Sequence, residues 1–245
     1  MIRGWIAIYY RELLIIKRRL SRMLPSMAVS PLLYMIAFGY AVGKDMTVDG
    51  YPYMAFLLPG LAAMSSMTQA FAIASEINIA RFYWHIFEEF QAAPISRAAY
   101  VLGETAAGMT RALMSVCVIL IMGFFFGITL SYNLFFWLAI LLNSFVFASL
   151  AVGLAMLVKS HADQAMVTNF VITPMAFLGG TFFPVDRLPD WAQYILQFLP
   201  LTHASDAARA SAFGKTPDIT SYIILAAVGI LFFSMAFFCV NRAKK

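Results

Sequence analysis

The side chains that most often do chemistry are few and scattered in this chain. Its three histidines are His85, His161 and His203. The topology argued below divides them between two sides of a membrane, so no histidine or histidine–carboxylate set has the spacing of a metal site. Lys159-Ser160 follows Val158, where a phosphate-binding loop requires glycine, so the chain has no ATP site of that kind. Cys117 and Cys239 lie within apolar runs and read as packing residues. Glu104 and Arg111 stand out as charges beside a long apolar stretch, and their seven-residue spacing puts them on one helix face. At membrane depth such charges face the protein interior or water and mark function. The alternative is a helix starting near Ser96, with Glu104 among headgroups and Arg111 snorkelling from the boundary. No span carries the buried carboxylates of an ion-driven carrier, and no polar cluster suits a membrane-embedded transferase. Those two form the competing class, a membrane protein that works without an ATPase.

What positions these residues is a membrane. The 245 residues are 62% hydrophobic and 12% charged, with mean hydropathy +0.81. A soluble domain has roughly 45–50% apolar and about 25% charged residues. The composition specifies an all-α integral membrane protein, one domain over 1–245 with no repeat or linker. The pI near 9.3 does not imply nucleic acid, because the basic residues cluster at span ends. Six windows are long and apolar enough to cross: 24–42, 54–75, 112–130, 134–158, 164–183 and 222–240. With the N-terminus inside, twelve of the 17 Lys and Arg fall on cytoplasmic segments, four (Lys44, Arg187, Arg209, Lys215) fall outside, and Arg111 lies at a span. Positive-inside bias therefore puts both termini in the cytoplasm.

Three segments flank the spans. Residues 1–23 set Ile2, Trp5, Ile6, Tyr9, Leu13, Ile16 and Leu20 on one helical face against Arg11, Arg18 and Arg22, the pattern of an N-terminal amphipathic helix lying in the interface. Residues 76–100 form a cytoplasmic segment in which Phe82, Tyr83, Ile86, Phe87 and Phe90 oppose Arg81, His85 and Glu88 in a helix ending at Pro94. The pattern suits either a plain interfacial helix or a surface another protein pushes on. Residues 184–218 predict two short outer helices, one from Pro189 to Pro200 and one capped by Thr202 and ending near Gly214. Each is about half a bilayer long, so they are re-entrant or interfacial. Trp191, Tyr194, Ile195 and Phe198 are too apolar for solvent and must bury against span ends or dip into the outer leaflet. Gly179, Gly180 and Pro184 turn the chain into this segment, and Pro200 resets its direction. Asp206 and Arg209 read as an exposed pair worth about 0–1 kcal/mol. Pro31, Pro59 and Pro174 predict kinks, and Gly39-x-x-x-Gly43 and Gly123-x-x-x-Gly127 allow close helix packing, within the chain or between copies. Phe38, Phe56, Met64, Met67, Phe71 and Phe177 offer aromatic and polarizable surface for an amphiphilic substrate's path.

Three stretches carry a family resemblance: YMAFLLPGLAAMSSMTQA at 53–70, EEFQAAPISRAAYVLGE at 88–104, and NFVITPMAFLGGTFFPVDRLPDWAQYILQFLPLTHASDAARA at 169–210. They resemble the ABC type-2 exporter permeases, nearest the nodulation-factor, polysaccharide and drug export branch, over nearly the whole chain. The resemblance implies a six-helix permease in the bacterial inner membrane, paired with a second copy and with two separate ABC ATPase subunits. ATP and Mg would sit on those subunits, with no cofactor on this chain and no enzymatic activity of its own. It further implies that 1–23 is an elbow helix and that Phe82, Trp84, His85, Phe87, Glu88, Glu89 and Pro94 belong to a coupling helix docking on the ATPase. It makes 184–214 the outer re-entrant helices; the apolar pattern of that segment itself makes Gly179, Gly180, Pro184, Trp191, Tyr194, Phe198 and Pro200 an outer lid over the pathway, or else a static plug that seals the bilayer. The aromatic run Phe82-Tyr83-Trp84 departs from the Gly/Thr/Leu-rich coupling helix of many members, which puts individual ATPase contacts in doubt. Lipid-linked glycans, lipo-oligosaccharides and hydrophobic drugs all travel by this architecture.

Overall fold

The structure, a computed structural model, describes residues 4–84, 86 and 95–242. Helix α1 (Gly4–Tyr34) continues into a π-helical turn at Met35–Val42, giving 39 residues without a break. The interfacial helix expected over 1–23 and the first span are thus one rod. Pro25 and Pro31 lie inside it, each removing one backbone donor, and the wider π turns follow the second proline. The face α1 buries also differs from expectation. Ile8, Glu12 and Ile16 point inward while Ile6 and Leu20 are exposed, because Gly103 opens a slot that Ile8 fills.

A two-residue hairpin links α1 to the next helix. Thr47–Val48 pairs antiparallel with Tyr51–Pro52 across Asp49 and Gly50, both at positive φ (52° and 81°), the turn Asp-Gly favours. Helices α2 (Tyr53–Phe71) and α3 (Ile73–Phe82) then run nearly collinearly, and α2 is buried along almost its whole length. Against it stand α4 (Arg97–Phe125) and α5 (Leu134–Leu157), and α10 (Ile219–Arg242) packs along α5. Ser96 and Asn133 cap α4 and α5 by accepting from the N–H groups of Ala99 and Phe136. Helix α10 runs parallel to α5, with Gly229 against Phe145 and Gly153 against Ala236. Core polar groups knit the bundle: the Asn143 amide donates to Ala63 O (2.9 Å) and Ser66 Oγ (2.7 Å), and Ser65 bonds Ser115.

Among the described residues, five helices are long and apolar enough to cross a membrane. The window expected at 164–183 is helical without a gap over 161–178 but too polar at its start to join these five: α6 (His161–Val167), a π turn (Thr168–Ile172) and α7 (Thr173–Leu178). Pro174 near the start of α7 and polar residues at its first turns interrupt the apolar pattern. The chain then forms a 3₁₀ turn (Val185–Arg187), α8 (Asp190–Leu196) and α9 (Pro200–Ala212).

Three of the four glycines in the two pairs pack within the chain. Gly39 receives the Met54 side chain, Gly43 the Tyr53 ring, and Gly123 the Leu58 side chain; Gly127, at φ +74°, makes the turn that ends α4. The helices share one end that gathers Arg11, Arg19, Arg81 and Arg111, called the basic end below, and a far end that carries α8 and α9.

Candidate functional site

A stripe along α2 and α3, Leu61 followed by the small Ser65, Thr68, Ala72 and Ser75, recurs at alternating steps of four and three residues and so lies on one helix face. Opposite it stand α1 and the α6–α7 run. The small residues leave a cavity of about 380 Å³ between the three. Its wall mixes hydroxyls (Ser30, Ser65, Thr68, Thr173) with apolar groups (Tyr34, Met64, Phe71, Phe177). At the far end four rings close over it: Phe182 lies 4.7 Å from Phe38, 5.2 Å from Tyr34 and 5.4 Å from Phe177, centroid to centroid. Of the six residues proposed for a path, Met64, Phe71 and Phe177 line this cavity and Phe38 joins the ring cluster. Phe56 and Met67 do not line it, being sealed between helices.

The turn carrying Phe182 is held from below. Arg209 on α9 is 9% exposed; its Nη2 donates to Gly180 O (2.6 Å), its Nε to Phe56 O (3.4 Å) and its Nη1 to Asp206 (3.2 Å). The guanidinium also lies 3.9 Å from the Phe56 ring centroid. Burial lowers the Arg209 pKa from the usual arginine value, and Asp206 opposes that shift. Tyr53 donates to Phe182 O (2.6 Å). Sequence reasoning missed this hub and took Arg209 as an exposed partner of Asp206. Its α9 neighbours Ala204, Ala207, Ala208 and Ser211 are small and buried, so the helix sinks into the bundle with its arginine. The first turn of α9 also differs: Leu199 occupies the cap position and Pro200 opens the helix, leaving Thr202 buried inside it.

The other outer residues remain peripheral. Gly180 adopts φ +75°, and a side chain at Gly179 would meet Leu201. Pro184 precedes the 3₁₀ turn, onto which α8 is tied by Gln193 donating to Leu188 O (2.8 Å). Trp191, Tyr194, Ile195 and Phe198 are exposed, Phe198 by 87%, so this face does not bury against span ends.

At the basic end, Glu76 on α3 faces arginines from two other helices: Arg19 of α1 and Arg111 of α4, each at 3.4 Å. Arg11 pairs with the neighbouring Glu12 at 2.9 Å. Glu104 and Arg111, which share a helix face, have different partners in space. Glu104 is 3% exposed and lines a small pocket with Glu12, Tyr100 and Trp84. Arg81 donates to the carbonyls of Ala155 and Met156 (3.1 Å each), capping the last turn of α5. Phe82 ends α3 and is not the first turn of a separate helix, Tyr83 and Trp84 turn away from it exposed, and His85, Phe87, Glu88, Glu89 and Pro94 lie outside the described residues.

Comparison with known proteins agrees with this architecture. A family model described as ABC-2 type transporter matches residues 3–213. Nodulation protein J of Rhizobium meliloti (strain 1021) is 33% identical over 216 residues, 86% of this chain and 82% of that protein. Nodulation protein J of Neorhizobium galegae is 31% identical over 228 residues, covering 90% and 86%. The inner membrane transport permease YadH of Escherichia coli (strain K12) is 28% identical over 217 residues, covering 86% and 84%.

Proposed function

Because the chain belongs to the ABC-2 type transporter family, we propose that it is the membrane-spanning subunit of an ATP-driven exporter that moves an amphiphilic substrate from the inner leaflet outward. Members of this family are membrane transport components that work with ABC ATPase partners. In this proposal the basic end is cytoplasmic, both termini included, and a second copy faces α1 and the α6–α7 run. Two ATPase subunits dock on the segment around 82–94. The resident groups of the chain hold and orient substrate, and nucleotide chemistry belongs to the partner.

The observation that carries the substrate reading is the cavity between α1, α2 and α6–α7. Each of the three elements supplies both hydroxyls and apolar surface, and a ring cluster closes the far end. Such a lining suits a molecule with both polar and apolar parts and is poor for a small ion, which needs charged or convergent oxygen ligands. Lipid-linked glycans, lipo-oligosaccharides and hydrophobic drugs all meet that description. Export requires the Phe182 turn to move, and the exposed aromatic face of α8 sits in the outer leaflet beside it.

The test is a reconstituted complex of permease and a Walker-motif ATPase. Phe87→Ala combined with Glu88→Ala is expected to lower substrate-stimulated ATP hydrolysis several-fold and weaken assembly. Unchanged hydrolysis and unchanged assembly would remove the coupling role from this segment. Failure of the extracted permease to hold any such ATPase would remove the ATP-driven reading altogether.

A further inference from the structure

Beyond the groove, toward the basic end, lies a second pocket of about 240 Å³ walled by Ser75, His161, Gln164, Ala165, Thr168 and Asn169. Ser75 and Thr168 also line the first cavity, so the two adjoin. Alone it is smaller than the roughly 300–1,000 Å³ of a complete ligand site; joined to the groove it forms the polar end of a larger one. Its wall holds amides, hydroxyls and one imidazole, and no Lys, Arg, Asp or Glu.

Behind this wall stands an incompletely bonded amide pair. Asn78 Nδ2 donates to Gln164 Oε1 at 3.1 Å, joining α3 to α6. Asn78 is 0% and Gln164 2% exposed, and Asn78 Oδ1 and Gln164 Nε2 have no hydrogen-bond partner. One is an acceptor lacking a donor and the other a donor lacking an acceptor, a cost of about 1–3 kcal/mol for each group while unmet. A single hydroxyl, or an amide, can both donate to the first and accept from the second. A phosphate diester can only accept, and a quaternary ammonium can do neither.

We propose that this pocket is a head-group subsite for an uncharged hydroxyl- or amide-bearing group, completed by Asn78 and Gln164. The proposal rests on the groove being the substrate path. The Gln164 side chain, already part of the wall, turns its Nε2 to the arriving head group while its Oε1 keeps the Asn78 bond, and the same group reaches in to donate to Asn78 Oδ1. The apolar tail then lies along Met64, Phe71 and Phe177. Selection follows from chemistry: a charged head finds no counter-charge in the wall and leaves the donor or the acceptor unmet.

The experiment measures binding of two fluorescent probes with the same dodecyl tail, dodecyl glucoside and dodecyl phosphocholine, to the full chain in lipid nanodiscs. The unaltered protein is expected to bind the glucoside at least tenfold more tightly. Gln164→Glu keeps the acceptor that Asn78 uses and replaces the free donor with an oxygen. It should weaken glucoside binding about tenfold, the scale of one lost hydrogen bond, and leave phosphocholine binding within twofold. Gln164→Leu should act alike, with thermal unfolding followed for both variants. Phe177→Ala should weaken both probes. Equal loss of both probes in the Gln164 variants, or no loss, overturns the subsite; if Phe177→Ala still acts, the groove reading survives it. Insensitivity of both probes to all three variants overturns the groove reading as well.

Discussion

The guanidinium of Arg209 lies over the Phe56 ring at 3.9 Å while its Nη2 donates to Gly180 O at 2.6 Å, so one side chain of α9 ties α2 to the turn closing the far end of the groove. Arg209→Ala strands Gly180 O and removes the cation from the ring. It is expected to destabilise the protein by about 2–3 kcal/mol, read as a lowered thermal unfolding midpoint. Asp206→Asn should cost less than about 1 kcal/mol, because that carboxylate's side chain is 53% exposed. Equal effects would show that the ion pair, not the Gly180 bond, carries the contribution.

Gly60 lies beneath the same turn. A β-carbon there would stand 2.8 Å from Thr181 O and 3.1 Å from Arg209 Nη2. Since the nearest obstacle is backbone, Gly60→Ala should destabilise by about 1–3 kcal/mol and displace the Phe182 turn. A cysteine pair or spin labels across Phe38 and Phe182 would register the displacement; an unchanged distance with unchanged stability would contradict it.

Gly39 is covered by the flexible end of Met54. Gly39→Ala should therefore be destabilising alone and relieved in part by Met54→Ala, with a favourable coupling of about 1 kcal/mol in the double variant. Association between copies should not change. A loss of dimer in Gly39→Ala, with stability of the protomer intact, would instead make this glycine pair an interface.

Glu76 has two arginines at equal distance but in different surroundings. The Arg111 side chain is 13% exposed and that of Arg19 is 46%. A double-mutant cycle should give a Glu76–Arg111 coupling of about 1–2 kcal/mol, insensitive to salt, and a Glu76–Arg19 coupling below about 1 kcal/mol that fades as salt rises. The reverse ranking would mean that water reaches Arg111.

Much of the bundle was legible before any coordinates. The alternative start of α4 near Ser96 holds, and five of the six apolar windows fall on α1 with its π turn, α2, α4, α5 and α10. What periodicity could not give was depth. The α9 sequence, PLTHASDAARASA, reads as a polar surface helix, yet small side chains let it sink until Arg209 meets backbone carbonyls of two other segments. The continuity of α1 was hidden by the change from charged to apolar sequence at Leu24, which the folded helix crosses with Pro25 inside it. The Leu61–Ser65–Thr68–Ala72–Ser75 stripe was a readable signal for the groove, since its spacing is helical; attention to large aromatic residues passed over it.

Helix α1, with its π turn, is 39 residues long, roughly 58 Å at 1.5 Å per residue, against a hydrocarbon slab of about 30 Å. A beam longer than the slab it pierces is a lever with its fulcrum in the bilayer. A tilt of about 10° sweeps each end through about 5 Å in opposite directions. A push on the end that holds Ile8 and Glu12 thus becomes a stroke at Tyr34 and Phe38, where the rings meet Phe182. Under the proposed function, a push from an ATPase would reach the Phe182 rings as leverage along this one continuous helix.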